Sequence, residues 1–213
     1  MCIYENFQKF SDKIIEKSIN IPTNIAGTYS VLHKNYFYYF ELDINPTNKL
    51  IKYDLVNQKI ISSKYFLLDD AVKDNSQDPR GGYNDSILIS DNEKLYVIYS
   101  SIKNNKKINI ALINEDDLSI IKIWKTDSKV KYDCPCIFMI GSTLYHLKDS
   151  NSTENNSINY AYDLETEKSY DPKIDFINKG GFDSSLTYYP KINSLMTVNN
   201  QNVYVYKVEL TMG

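Results

Sequence analysis

The chain has 213 residues, 42% of them hydrophobic and 24% charged, with a formal net charge of −3. That length suits a single all-β domain, the apolar share excludes a disordered chain, and the charge balance excludes the basic footprint of a nucleic-acid binder. Nineteen tyrosines and eight phenylalanines stand against one tryptophan, a balance that favours pleated, half-buried strands.

Residues 1–20 carry Glu5, Lys9, Asp12, Lys13, Glu16 and Lys17, so they lack the apolar stretch of a signal peptide. No run anywhere approaches the ~18 apolar residues of a membrane span. Phe7, Phe10 and Ile14 recur at helical spacing within Glu5–Ser18, which reads as a short helix or structured loop. Two strands, Cys2–Tyr4 and Glu16–Ile21, flank it.

From residue 27 onward, short apolar alternations are separated by Asn, Asp, Gly and Lys clusters, the pattern of a sandwich, barrel or propeller. They group in sets. The first is Gly27–Leu32, Tyr36–Glu41, Leu50–Asp54 and Ile60–Phe66. The second is Ile87–Ser90, Leu95–Ser100, Ile108–Ile113 and Ile120–Thr126. The third is Ile137–Ile140, Leu144–Lys148, Ile158–Asp163 and a weak Lys168–Ile174. The last has three members: Ser185–Tyr189, Ser194–Val198 and Val203–Leu210. Tyr53, Leu112, Tyr162 and Tyr206 occupy corresponding points. A unit of roughly 40–50 residues with four strands is a propeller blade.

The predicted fold is therefore all-β: one domain over residues 1–213, a five-bladed β-propeller with its first blade incomplete. Residues 1–21 are a remnant of that first blade, and 27–66, 87–126, 137–177 and 185–210 are the further blades. About 17 strands are visible where five four-stranded blades need about 20. The open edges this leaves on the first and last blades invite a partner chain or a homodimer.

The three cysteines, Cys2, Cys134 and Cys136, give no disulfide framework. With His33 and His146 each alone in strand-like surroundings, they do not make the four-ligand spacing of a zinc site either. No cofactor is expected.

Several stretches resemble the olfactomedin domain family: Leu50-Ile51-Lys52-Tyr53-Asp54-Leu55, then Gly81-Gly82-Tyr83-Asn84-Asp85 with Asp91 to Tyr99, then Leu112-Ile113-Asn114 through Trp124-Lys125-Thr126, and Asn159-Tyr160-Ala161-Tyr162-Asp163. Their order and spacing carry the resemblance, which runs from Ile3 to Leu210. It implies a five-bladed propeller, secreted or extracellular, that binds other proteins in adhesion, matrix assembly or signalling and performs no catalysis. The family disulfide has no counterpart: one of its positions reads Gly141 and the other precedes the chain.

The family's central calcium ion calls for hard oxygen ligands. Carried over residue by residue, its positions read Ile87, Cys136 and Thr187 here, so no metal is expected, unless the register shifts to bring in Asp85. Asp85 and Asp183 remain as candidate channel-binding residues. Asp85, Asp175 and Asp183 would also be the carboxylates of an enzymatic alternative, a propeller glycoside hydrolase, whose chemistry needs two carboxyls flanking one bond. The ordinary reading of all three is as turn residues. A further alternative is a degenerate fragment of a longer protein.

Loops carry recognition on propellers, which makes Lys103–Lys107, Asp149–Ser157 and Asp69–Gln77 candidate surfaces. Sequons at Asn84, Asn151 and Asn155 suit a secreted protein only, and in so Asn-rich a chain they read as accidental.

Overall fold

Runs such as Tyr36-Phe37-Tyr38-Tyr39-Phe40 and Leu95-Tyr96-Val97-Ile98-Tyr99 are apolar at every position, not every second one. A strand of that kind must be covered on both faces. The computed structural model shows how. It describes residues 1–25, 30–41, 49–65, 86–129, 137–147, 156–176, 186–199 and 202–209.

In chain order the elements are β1 (Cys2–Ile3), α1 (Phe7–Ser11), β2 (Lys17–Ser18), β3 (Val31–His33), β4 (Tyr36–Glu41), β5 (Lys49–Asp54), β6 (Lys59–Tyr65), β7 (Ser86–Asp91), β8 (Lys94–Ser101), β9 (Lys107–Ile113), β10 (Ile120–Lys129), β11 (Ile137–Ile140), β12 (Thr143–Leu147), β13 (Asn156–Asp163), β14 (Lys168–Tyr170), β15 (Ile174–Phe176), β16 (Leu186–Tyr189), β17 (Ser194–Asn199) and β18 (Asn202–Lys207). Every pairing is antiparallel between successive strands, except that β15 also returns to β13.

These strands form a β-propeller. Blade 1 is the two-stranded sheet β1–β2, blade 2 is β3–β6, blade 3 is β7–β10, blade 4 is β11–β15 and blade 5 is β16–β18. The first strand of each blade lies innermost, and β3 meets β7, β7 meets β11 and β11 meets β16. The blades therefore stack side by side around a common axis.

Alternate side chains of one strand serve opposite seams. Phe37 and Tyr39 pack toward blade 1 with Ile19, Ile51 and Tyr53. Tyr38 and Phe40 pack toward blade 3 with Leu88, Leu95, Val97 and Tyr99. Tyr96, Ile98, Ile108 and Ile110 turn the other way, onto Ile137, Met139, Leu144 and Tyr162 of blade 4. Phe138, Ile140, Leu147 and Ile158 then meet Leu186 and Leu195 of blade 5. The core is thus four apolar seams between sheets, and a period of two within each strand assigns every side chain to one of them.

The turns repeat a device. Asp54 Oδ1 accepts from the backbone N–H groups of Val56 and Asn57, and Asp163 Oδ1 from those of Glu165 and Thr166. Each of these Asp-Leu turns closes on a left-handed residue, Gln58 (φ 52°) or Glu167 (φ 57°). The innermost hairpins use two positive-φ residues each, Asn92-Glu93 and Gly141-Ser142, which matches the twist of the strands they join.

Two expected elements are shorter than their patterns suggest. The helix expected across Glu5–Ser18 spans only Phe7–Ser11. Asn6 caps it by accepting from Lys9 N–H, and Lys13 at φ 58° ends it. The chain then turns back so that Glu16 and Ile19 donate to Ile3 and Met1 carbonyls. The weak strand over Lys168–Ile174 is two strands, because Pro172 has no N–H to donate and Lys173 is left-handed at φ 51°.

Candidate functional site

The innermost strands bring few of the expected site residues into view. Asp85, Asp183, Cys134 and Cys136 lie outside the described residues, as do the sequon asparagines and the loop Asp69–Gln77. Ile87 sits on β7, half-buried, with its hydrocarbon packed beside Ile89 and Leu112 in the seam with blade 4. Thr187 is exposed on β16, opposite Met196. A packed isoleucine offers a hard cation nothing, so the residues seen at these positions do not fit calcium.

Asp175 does not face the channel. It is exposed on β15, in the outermost row of blade 4, paired across to Ser157. The Lys103–Lys107 loop is tied down by Asn104, whose side-chain amide donates to Asn109 Oδ1 at 3.0 Å and to the Thr126 carbonyl at 3.1 Å.

Polar ties cross the seams. Between blades 2 and 3, His33 Nδ1 lies 2.6 Å from Ser90 Oγ, and its Nε2 lies 3.1 Å from Glu115 Oε1, a charge contact rather than an aligned hydrogen bond. Lys34 Nζ donates to the same carboxylate at 2.8 Å, and buried Lys52 Nζ donates to the Glu115 carbonyl at 2.9 Å while lying over the Tyr36 ring. Burial works to raise the Glu115 carboxyl, but the hydrogen bond from Lys34 and the contact with His33 outweigh it and hold it below its ordinary value.

Ser90, His33 and Glu115 have the membership of a nucleophile–base–acid row. His33 is only 2% exposed, however, with both ring nitrogens turned into the seam. The row is a clamp between blades. Sequence reading left His33 as an isolated histidine, and no spacing signals a partner 57 residues away.

The seam between blades 3 and 4 is tied three times. Asp91 accepts from the backbone N–H groups of Gly141 (3.3 Å) and Ser142 (2.8 Å), so the innermost hairpin of one blade holds that of the next. Trp124 Nε1–H donates to the buried Leu164 carbonyl at 3.0 Å. Asp127 accepts from the Tyr160 and Ser169 hydroxyls, and the Tyr160 bond holds its carboxyl below the ordinary range. His146 is buried in this seam with Nδ1 3.5 Å from Ser128 Oγ. Burial pushes its pKa down to about 4.

The seam between blades 4 and 5 is different. It opens into a groove of about 550 Å³, lined by Phe138, Tyr145 and Ile158 of blade 4 and by Leu195, Tyr204 and Tyr206 of blade 5. Phe138 and Tyr145 stack at 5.3 Å. Burial pushes the Tyr145 hydroxyl up, so it stays protonated. An apolar groove edged by a few polar groups is a recognition surface in type.

Comparison with known proteins gives a consistent picture. The olfactomedin-like domain family matches residues 1–212. Myocilin of Bos taurus is 26% identical over 210 residues, covering 98% of this chain and 41% of that protein. Human adhesion G protein-coupled receptor L1 is 27% identical over 194 residues, covering 89% of this chain and 13% of the receptor. Olfactomedin-like protein 3A of Danio rerio is 27% identical over 195 residues, covering 91% and 48%. The chain spans less than half the length of each of these relatives.

Proposed function

This chain belongs to the olfactomedin-like family, and from that premise we propose that it is a non-catalytic protein-interaction module that meets extracellular protein partners in adhesion or signalling. The observation that carries the reading is the family match across residues 1–212 of a chain folded as a propeller. Such a ring holds its loops and edges in fixed positions, and recognition on rigid scaffolds resides there. One of the relatives is an adhesion receptor by name, which supports adhesion as the setting. An extracellular location follows from the same kinship. We take the whole chain as one domain.

The module works without calcium on this reading, because the position carried over to Ile87 contributes packed hydrocarbon in place of a carboxylate. Asp85 and Asp183 stay as candidate contact residues at the blade entries.

The test is a binding screen of the purified chain against an array of cell-surface and matrix ectodomains, run beside a hydrolysis assay on a glycan panel. The expected result is saturable binding to a protein ectodomain with no sugar released. Hydrolysis of a glycan that Asp85→Asn abolishes would replace the module with a glycoside hydrolase.

A further inference from the structure

Among the described residues, blade 5 has three strands, while blades 2 to 4 each carry a further row outside their third strand. In blade 4 that row is β14 and β15, both paired to β13. Blades 4 and 5 stack through their innermost strands, β11 on β16. Blade 4 therefore reaches one row further from the axis than blade 5. The groove opens at that step.

The step is apolar on both sides. Ile158 and Ile174 line it from blade 4, and Tyr204, Tyr206 and Val208 line it from blade 5. Ile174 stands 44% exposed where a fourth strand of blade 5 would cover it. Among the described residues no strand pairs with the outer side of β18, and the edge of a sheet is a template for another strand.

We propose that this step is a strand-addition site, which takes up an extended segment of a partner protein as the fourth strand of blade 5. Backbone pairing to β18 would supply affinity, and the groove would select apolar side chains at every second position of the segment. The residues between them face outward, toward a rim that includes Asp175, Lys207 and Glu209, and are polar. The inference rests on the protein-interaction reading above and names the chemistry of one partner.

The step is one row deep, and neighbouring strands lie about 4.8 Å apart, so a single strand fills it. A second copy of the chain suits it less well. Paired antiparallel through its own β18, that copy would bring its blade 4 to the same side, where the two protruding rows collide.

The probe is a ten-residue peptide of alternating valine and threonine with a lysine at each end. Its control is an isomer with the valines in one block and the threonines in another. Binding is read by fluorescence anisotropy, and hydrogen exchange is followed across Asn202–Lys207. The alternating peptide should bind saturably and slow exchange in that segment by about tenfold or more, with the isomer about tenfold weaker. Ile174→Lys, at an exposed position, should abolish binding without changing the circular dichroism spectrum.

Equal binding of both peptides, or no slowing at saturation, overturns the proposal. So does a free monomer whose β18 amides already exchange as slowly as those of β17, because the chain's own residues would then hold the edge. A dimer that protects the same amides overturns it in favour of self-association. Ectodomain binding is scored separately: its loss with peptide capture intact removes the module reading, and its persistence without peptide capture removes this one.

Discussion

His146 should make the fold acid-labile well above the pH at which carboxylates protonate. Its imidazole is buried between blades 3 and 4, and burial holds its pKa at about 4 against an ordinary 6.5. In that window the unfolded chain takes up a proton that the native chain refuses. Stability from this group is therefore complete above pH 6.5, falls as the pH drops, and levels off below about 4. The whole window is worth about 3 kcal/mol, and at pH 5 about 2 kcal/mol is already lost. Urea denaturation at pH 7 and pH 5 measures this in the native chain and in His146→Gln, which cannot take up the proton. The native chain should lose about 2 kcal/mol more than the variant between the two pH values. Equal losses in both would show that protonation of His146 is not opposed by the seam, and the placement of its ring would be wrong.

Other substitutions probe the seams and turns. Asp91→Ala strips the acceptor from two backbone N–H groups of the neighbouring hairpin and should cost about 1–3 kcal/mol in urea melts. Trp124→Phe keeps an aromatic ring but leaves the buried Leu164 carbonyl without its donor; thermal melts should show a similar loss. Gly141→Val places a β-branched side chain at φ 60°, where strain and not crowding sets a cost of about 1–3 kcal/mol, read as a lowered melting temperature. Calorimetry with calcium on the native chain should show no micromolar site; one such site would restore an oxygen ligand set near Asp85.

Strand positions were legible because Tyr, Ile and Val runs bounded by Asn and Asp clusters leave few other conformations. The recurrence of Asp54-Leu55 and Asp163-Leu164 marked equivalent turns, and the structure explains the recurrence through the N–H groups each aspartate gathers. The helix was over-read, since Phe7, Phe10 and Ile14 keep helical spacing past the point where Lys13 breaks the backbone. Asp175 was misplaced toward the channel because turn chemistry in a sequence does not say at which radius a turn lies. The His33, Ser90 and Glu115 clamp joins distant segments that meet only when blades 2 and 3 stack. The groove depends on the unequal reach of blades 4 and 5, a property of two sheets together and not of any one strand.

The most direct measurement of whether this propeller works by contact is intact mass spectrometry of an ectodomain selected in the binding screen, before and after prolonged saturation with the chain. Reversible, stoichiometric binding that leaves the ectodomain and its glycans at unchanged mass is the predicted result. A loss of mass that accumulates over many turnovers would contradict it.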